Sequence, residues 1–331
     1  MRKLSCFLTI MLLLVCGLAQ AQWVWTPQTG RFINLKKMPK ETPELQIEYA
    51  RSLLMDGNYQ KAFRETNKFV EFYGDDVLAD ENQFLRGEIL LARGRRMDAA
   101  KAFQQLIAAY PNSDHYEEAV RKQYDIGDYY YDRGVAKSGK KFRLFRNRPY
   151  KRAAEVYTMV VDNQPFAPAA AEAQYKIGLC HYARSQYIDA AFEYRRVMED
   201  YAASDWVPDA SFGLANCYYK ASLPPEYDQA PSEMAIDAID DFKMRFPNDE
   251  RGEELDAIKV DMRESIALQR LQTARFYEQR REYSAAKLYY EILVRDFSDT
   301  ESAEVASAWL ETNEGVVHIG DKYQSGLQAE L

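Results

Sequence analysis

Small and apolar residues recur along the chain at helical spacing. Ala99, Phe103, Leu106 and Tyr110 step by four, three and four, which places them on one face of a helix. The same register occurs six times, anchored at Ala62, Ala99, Ala153, Ala190, Ala235 and Ala286. Four residues beyond the anchors stand Thr66, Phe103, Tyr157, Tyr194, Ile239 and Tyr290. Eleven beyond stand Tyr73, Tyr110, Gln164, Tyr201, Phe246 and Phe297, followed by Gly74, Pro111, Pro165, Ala202, Pro247 and Ser298. Twelve before the anchor, where no insertion intervenes, comes another small residue: Ala50, Gly87, Gly178 or Ala274.

Each copy reads as a pair of helices. The small residues suit the crossing of the two helices, where backbones approach. The aromatic at +4 is expected to fill the gap toward the next repeat. Proline at +12 stops the second helix, because it has no N–H and its ring clashes with the preceding turn. This is the tetratricopeptide pattern, a helix–turn–helix of about 34 residues. It predicts an all-α fold, a right-handed α-solenoid of about six hairpins over residues 44–311.

The remaining stretches are set by what interrupts the pattern. A basic insertion near 137–152 separates the second and third anchors. A second insertion, between Tyr219 and Ala235, contains Pro224, Pro225 and Pro231, which forbid a continuous helix. Residues 249–279 read as one long helix or two joined ones. Residues 22–43 hold Trp23, Trp25 and Phe32, and Pro27 and Gly30 suggest an extended arm. Residues 312–331 read as a tail.

The first 21 residues have the form of a secretory leader. Arg2 and Lys3 precede an apolar run from Phe7 to Val15, and Ala19 and Ala21 suit cleavage before Gln22. No later run approaches the roughly 20 apolar residues that a membrane span needs. Val15 before Cys16 is a poor lipoprotein signal, so cleavage after Ala21 is expected rather than a lipid on Cys16. The predicted location is the periplasm, peripheral to the outer membrane.

Apolar residues make up 47% and charged residues 28%, a globular mixture that argues against disorder. With 15 glycines and 12 prolines, turns are too few for an all-β sandwich. The net charge is −8, and Arg2 and Lys3 are the only charges in the leader, so the exported chain is more acidic still. Nucleic acid is therefore not an expected partner. The insertion is the exception: Lys137, Lys140, Lys141, Arg143, Arg146, Arg148, Lys151 and Arg152 lie together with no acidic residue. The insertion reads either as a solvated loop lying on the acidic solenoid or, through Lys140, Lys141, Arg143, Phe145 and Arg146, as a candidate contact with an anionic membrane surface or an acidic partner, with Phe142 and Tyr150 as candidate additions to it.

No catalytic, cofactor-binding or metal-ligating constellation is predicted. There is no glycine-rich phosphate loop, HExxH, GxSxG or CxxC. Cys180 and His181 are neighbours, but adjacent helical residues point about 100° apart, which does not make a nucleophile–base pair. Cys180 and Cys217, one repeat apart inside helical patterns, are expected as free core thiols, with a disulfide between them, which an exporting compartment allows, as the alternative. Tyr129, Tyr130 and Tyr131 read as packing, with a peptide-gripping cluster as the alternative. The chain is expected to be a binding scaffold rather than an enzyme.

The last hundred residues carry a more specific likeness. The stretch YDQAPSEMAIDAIDDFKMRFPNDE, from Tyr227 to Glu250, precedes a long joining helix. A closing hairpin follows, with Ala274, Phe276-Tyr277, Tyr283, Ala285-Ala286, Tyr289-Tyr290 and the run Asp296-Phe297-Ser298-Asp299-Thr300. Together these resemble the BamD family, also called ComL or YfiO-like, of outer-membrane protein assembly lipoproteins. The likeness extends over roughly 44–310. It implies a non-enzymatic periplasmic scaffold that binds the periplasmic domains of an outer-membrane barrel-assembly protein and unfolded outer-membrane proteins. The family often has an arginine where Tyr289 stands here. The alternative from the repeats alone is a periplasmic coordinator linking cell-wall or division proteins.

Overall fold

The computed structural model describes residues 23–26, 30–34, 38–138 and 147–317. Thirteen helices and one strand pair are found among them. The chain divides into two compact units between Ile126 and Gly127.

The first unit begins with an antiparallel hairpin, β1 (Trp23–Thr26) and β2 (Arg31–Asn34), in which Trp25 faces Phe32. The segment expected as a single extended arm is thus folded back on itself. Gly30 allows this: its φ is +62°, and its N–H reaches the Thr26 carbonyl at 3.0 Å. Helices α1 (Pro43–Met55), α2 (Tyr59–Tyr73), α3 (Ala79–Ala92) and α4 (Arg96–Ala109) follow as two packed pairs. Helix α5 (Tyr116–Ser138) contains the unit boundary. Phe69, Leu85 and Ile89 are fully buried in the core of this unit.

The second unit contains the rest of α5, then α6 (Asn147–Asn163), α7 (Pro168–Ala183), α8 (Tyr187–Asp200), α9 (Val207–Ala221) and α10 (Ala230–Arg245). It closes with α11 (Gly252–Gln279), α12 (Tyr283–Asp296) and α13 (Glu301–Thr312). The stretch read as one or two helices is a single helix of 28 residues, α11. Consecutive helices pack on one another, and α13 also touches α11.

The anchors explain this packing. Ala62, Ala99, Ala153, Ala190, Ala235 and Ala286 are all 0% exposed. The +4 side chains close onto the small residue of their own pair as well as toward the next helix. A Cβ at Gly87 would stand 2.3 Å from the Phe103 ring, and one at Gly178 would stand 2.5 Å from Tyr194. Only glycine admits rings this close. Tyr194 also lies against Gly213 of the following helix, so its ring is sandwiched. The +11 aromatics are end caps: the N–H of Tyr110, Phe246 and Phe297 each donates to the carbonyl four residues back, at 2.7, 2.8 and 2.9 Å.

Tight turns within the pairs share one device. The residue five before the anchor has positive φ: Gly57 (74°), Gly94 (72°), Ser185 (61°) and Arg281 (61°).

The basic insertion is not simply a loop. Helix α5 runs on to Ser138 and α6 starts at Asn147. Tyr150, expected as part of a surface contact, is instead buried at 5% exposure, with its ring against Gly134 and edge-on to Tyr131. Lys140, Lys141, Phe142, Arg143, Phe145 and Arg146 lie outside the described residues.

Candidate functional site

Residues of the resemblance turn out to be joints between helices. Asp228 accepts from the N–H of Ala230 at 3.0 Å at the start of α10. Gln229 is buried, and its amide nitrogen reaches the carbonyls of Leu223, Pro224 and Tyr227 at 3.1 to 3.3 Å. Its oxygen accepts from Ser232 and from Ser265 of α11, both at 3.0 Å. Gln269 of α11 adds a bond to the Tyr227 carbonyl at 2.9 Å. A loop with no secondary structure of its own is thereby fixed, with Leu223 and Tyr227 left 49% and 60% exposed at its surface.

Two arginines do the same for neighbouring helices. Arg251 grips Asp249 with two bonds, at 2.9 and 2.6 Å, and reaches Asp209 of α9 at 2.6 Å. The Arg251 hydrogen bond holds the Asp249 carboxyl well below its ordinary value, at about 2, and Arg251 is raised in turn. Arg263 of α11 holds Asp299 bidentately, its Nε donating at 2.8 Å. That contact lowers the Asp299 carboxyl. Thr300 then caps α13, accepting from the Ala303 N–H at 3.2 Å. Tyr289, in the place of the family's arginine, stacks on Tyr277 with ring centroids 5.4 Å apart.

Beside these joints lies an open groove of about 360 Å³ between α8 and α10. Arg195, Met198 and Glu199 line one wall. Met234, Asp237, Asp241 and Arg245, spaced by three or four along α10, line the other. Leu214 and Tyr218 of α9, each 7% exposed, form the floor. The Arg195 guanidinium donates to the Tyr218 hydroxyl and so leans across that floor. Exposed methionine between fixed charges suits the side chains of a protein partner. The sequence did not single this groove out. Its only signal was the polar half of the α10 stripe, which reads equally well as a solvated helix face.

The other flagged residues play packing roles. Tyr130 is buried, with Tyr129 edge-on to it. Cys180 and Cys217 are free and buried, and burial pushes both thiols up to about 12, far from a reactive thiolate. Among the described residues, no group of three or more His, Cys, Asp or Glu could hold a metal ion, and no helix is long and apolar enough to cross a membrane.

Residues 140–318 match the YfiO family, described as outer membrane lipoprotein. The chain belongs to the YfiO family. Residues 81–113, upstream of that match, fit the tetratricopeptide repeat, in keeping with the all-α repeat fold. A curated relative, the outer membrane protein assembly factor BamD of Caulobacter vibrioides, is 25% identical over 129 residues, or 39% of this chain. The match spans 42% of that relative's length. Among solved structures, a thermophilic tetratricopeptide-repeat protein of Thermus thermophilus is 13% identical, with a TM-score of 0.31, covering 67% of this chain and 98% of its own. The C-terminal part of a repeat protein from Cytophaga hutchinsonii is 15% identical, with a TM-score of 0.32, covering 78% and 98%. The YfiO match takes in most of the second unit, including the Gln229, Arg251 and Arg263 joints.

Proposed function

We propose that this chain is a non-enzymatic periplasmic scaffold of the outer-membrane protein assembly machinery. Its second unit binds the periplasmic domains of a barrel-assembly protein and receives unfolded outer-membrane proteins. The observation that carries this reading is the YfiO match over residues 140–318. The relative's name, outer membrane protein assembly factor, supports it. The structure adds a surface suited to the task. Gln229 fixes the 222–229 loop, and Arg195 of α8 bonds Tyr218 on the groove floor, so a partner meets surfaces that are already ordered and the ordering cost is small.

The test is affinity purification from crosslinked envelopes, comparing the wild-type chain with the double variant Asp237→Lys, Asp241→Lys. Both aspartates are exposed on the groove wall. The wild type is expected to recover a barrel-assembly protein, and the variant to lose it while keeping its helical spectrum. Recovery of cell-wall or division proteins in its place would overturn the reading.

A further inference from the structure

We propose that the aromatic face of the N-terminal hairpin docks into the interfacial layer of a lipid bilayer. The inference rests on the envelope reading above but uses a different surface, in the other unit. Register places the rings. Trp25 is opposite Phe32, and Trp23 is two residues along the same strand, so all three side chains share one face of the ribbon. They are 51%, 64% and 59% exposed, and Trp25 meets Phe32 edge-on at 5.4 Å. Isolated exposed rings are ordinary on a protein surface; three contiguous ones mark a contact.

The opposite side of the ribbon is held at its turn end, although Val24 on that side is 39% exposed. Thr26 is buried at 3% exposure, and Arg31 pairs with Glu71 of α2. Downstream, Lys68 and Tyr73 of α2 donate to the carbonyls of Met38 and Lys40 at 3.3 and 2.5 Å. The hairpin is therefore tied to α2 with its rings facing solvent.

Ring chemistry and charge select lipid as the occupant. Indole rings, apolar at one end and wet at the other, concentrate at the headgroup level, and the Phe32 ring beside them adds apolar area to insert. Between Trp23 and Lys40 the sequence has Arg31, Lys36, Lys37 and Lys40 and no acidic residue, so the stretch that carries the rings is basic in an otherwise acidic protein and suits an anionic lipid surface.

The experiment uses the chain from Gln22 to Leu331 and vesicles of phosphatidylethanolamine and phosphatidylglycerol, three to one. Sedimentation measures binding, and brominated acyl chains report ring insertion through quenching of tryptophan emission. The wild type is expected to sediment and to be quenched. The variant Trp23→Ala, Trp25→Ala, Phe32→Ala should bind about tenfold more weakly, because interfacial binding scales with the apolar area inserted. Its circular dichroism and melting should be unchanged. Trp23→Ser alone, at the strand end, guards against loss of the hairpin itself and should weaken binding by a smaller factor. Equal binding by the wild type and the triple variant, or absent quenching in the wild type, overturns the proposal. So does a triple variant that binds vesicles normally but loses a co-purifying protein, since the face would then serve a protein. Failure of the scaffold reading registers separately, in the recovery of a barrel-assembly protein by the wild type.

Discussion

Replacing Gly178 with alanine should destabilise the second unit, although alanine is the better helix former. Gly178 lies in α7, where alanine for glycine ordinarily gains about 1 kcal/mol. Here the added Cβ would stand 2.5 Å from Tyr194 Cε1 and 2.7 Å from Cδ1. Carbon contacts rest near 3.5–4.0 Å, so the ring must retreat by about 1 Å. Its retreat is blocked, because a Cβ on Gly213 of α9 would lie only 2.7 Å from the far edge of the same ring. Tyr194 is 2% exposed, with no solvent side to move into. Overpacking of this kind costs about 1–3 kcal/mol, and a ring held on both faces belongs at the upper end. The net loss is about 1–2 kcal/mol. In a unit of this size that lowers the melting temperature by roughly 2–8 °C. Thermal and urea melts followed by far-ultraviolet circular dichroism measure it. Gly252, the first residue of α11, is the control: a Cβ there meets nothing within 4 Å, and Gly252→Ala should be neutral or stabilising. In a Tyr194→Leu background the penalty of Gly178→Ala should shrink or change sign, since the clashing ring is gone. If Gly178→Ala melts at or above the wild type, or its cost persists unchanged in the Tyr194→Leu background, the reasoning is wrong.

Two further outcomes follow from the turns and the joints. Ser185→Gly should raise stability by about 1 kcal/mol, because Ser185 has φ +61° and a side chain in the left-handed region costs roughly that much; an unchanged or lower urea midpoint would count against the turn geometry. The Asp249 carboxyl lies at about 2 in the folded chain, below its ordinary 3.8, so its contribution is present above pH 3.8 and is lost as pH falls toward 2. Urea midpoints of the wild type and Asp249→Asn should therefore differ at pH 6 and converge at low pH, whereas a gap independent of pH would refute the Arg251 pairing.

How much of this fold could be read from the sequence depends on whether spacing survived. Where no insertion intervenes, the small residue and its covering side chain are 16 apart, as in Gly87–Phe103 and Gly178–Tyr194, and the helix pair is visible at once. The β-hairpin left no comparable trace, since four-residue strands give only two residues per face and Pro27 and Gly30 read as breaks. The Gln229 hub was visible only as part of a resemblance, because its role depends on Ser265, far along the chain. The third pair is the instructive case. Its +4 residue, Tyr157, covers Gly127, 30 residues back, so the pattern lost its small residue there. In two antiparallel helices, contacting positions keep a constant sum as one moves along the pair. Gly127 with Tyr157 and Gly134 with Tyr150 have the same sum. Moving seven residues forward along α5 and seven back along α6 thus repeats the glycine–tyrosine contact two helical turns further from the core of the pair. Part of the insertion therefore lengthens both helices by about two turns and leaves the register intact. Tyr150 is buried because it reproduces the packing of Tyr157 in the added turns. Its basic neighbours made it look like a surface residue, and only the pairing with Gly134 reveals otherwise.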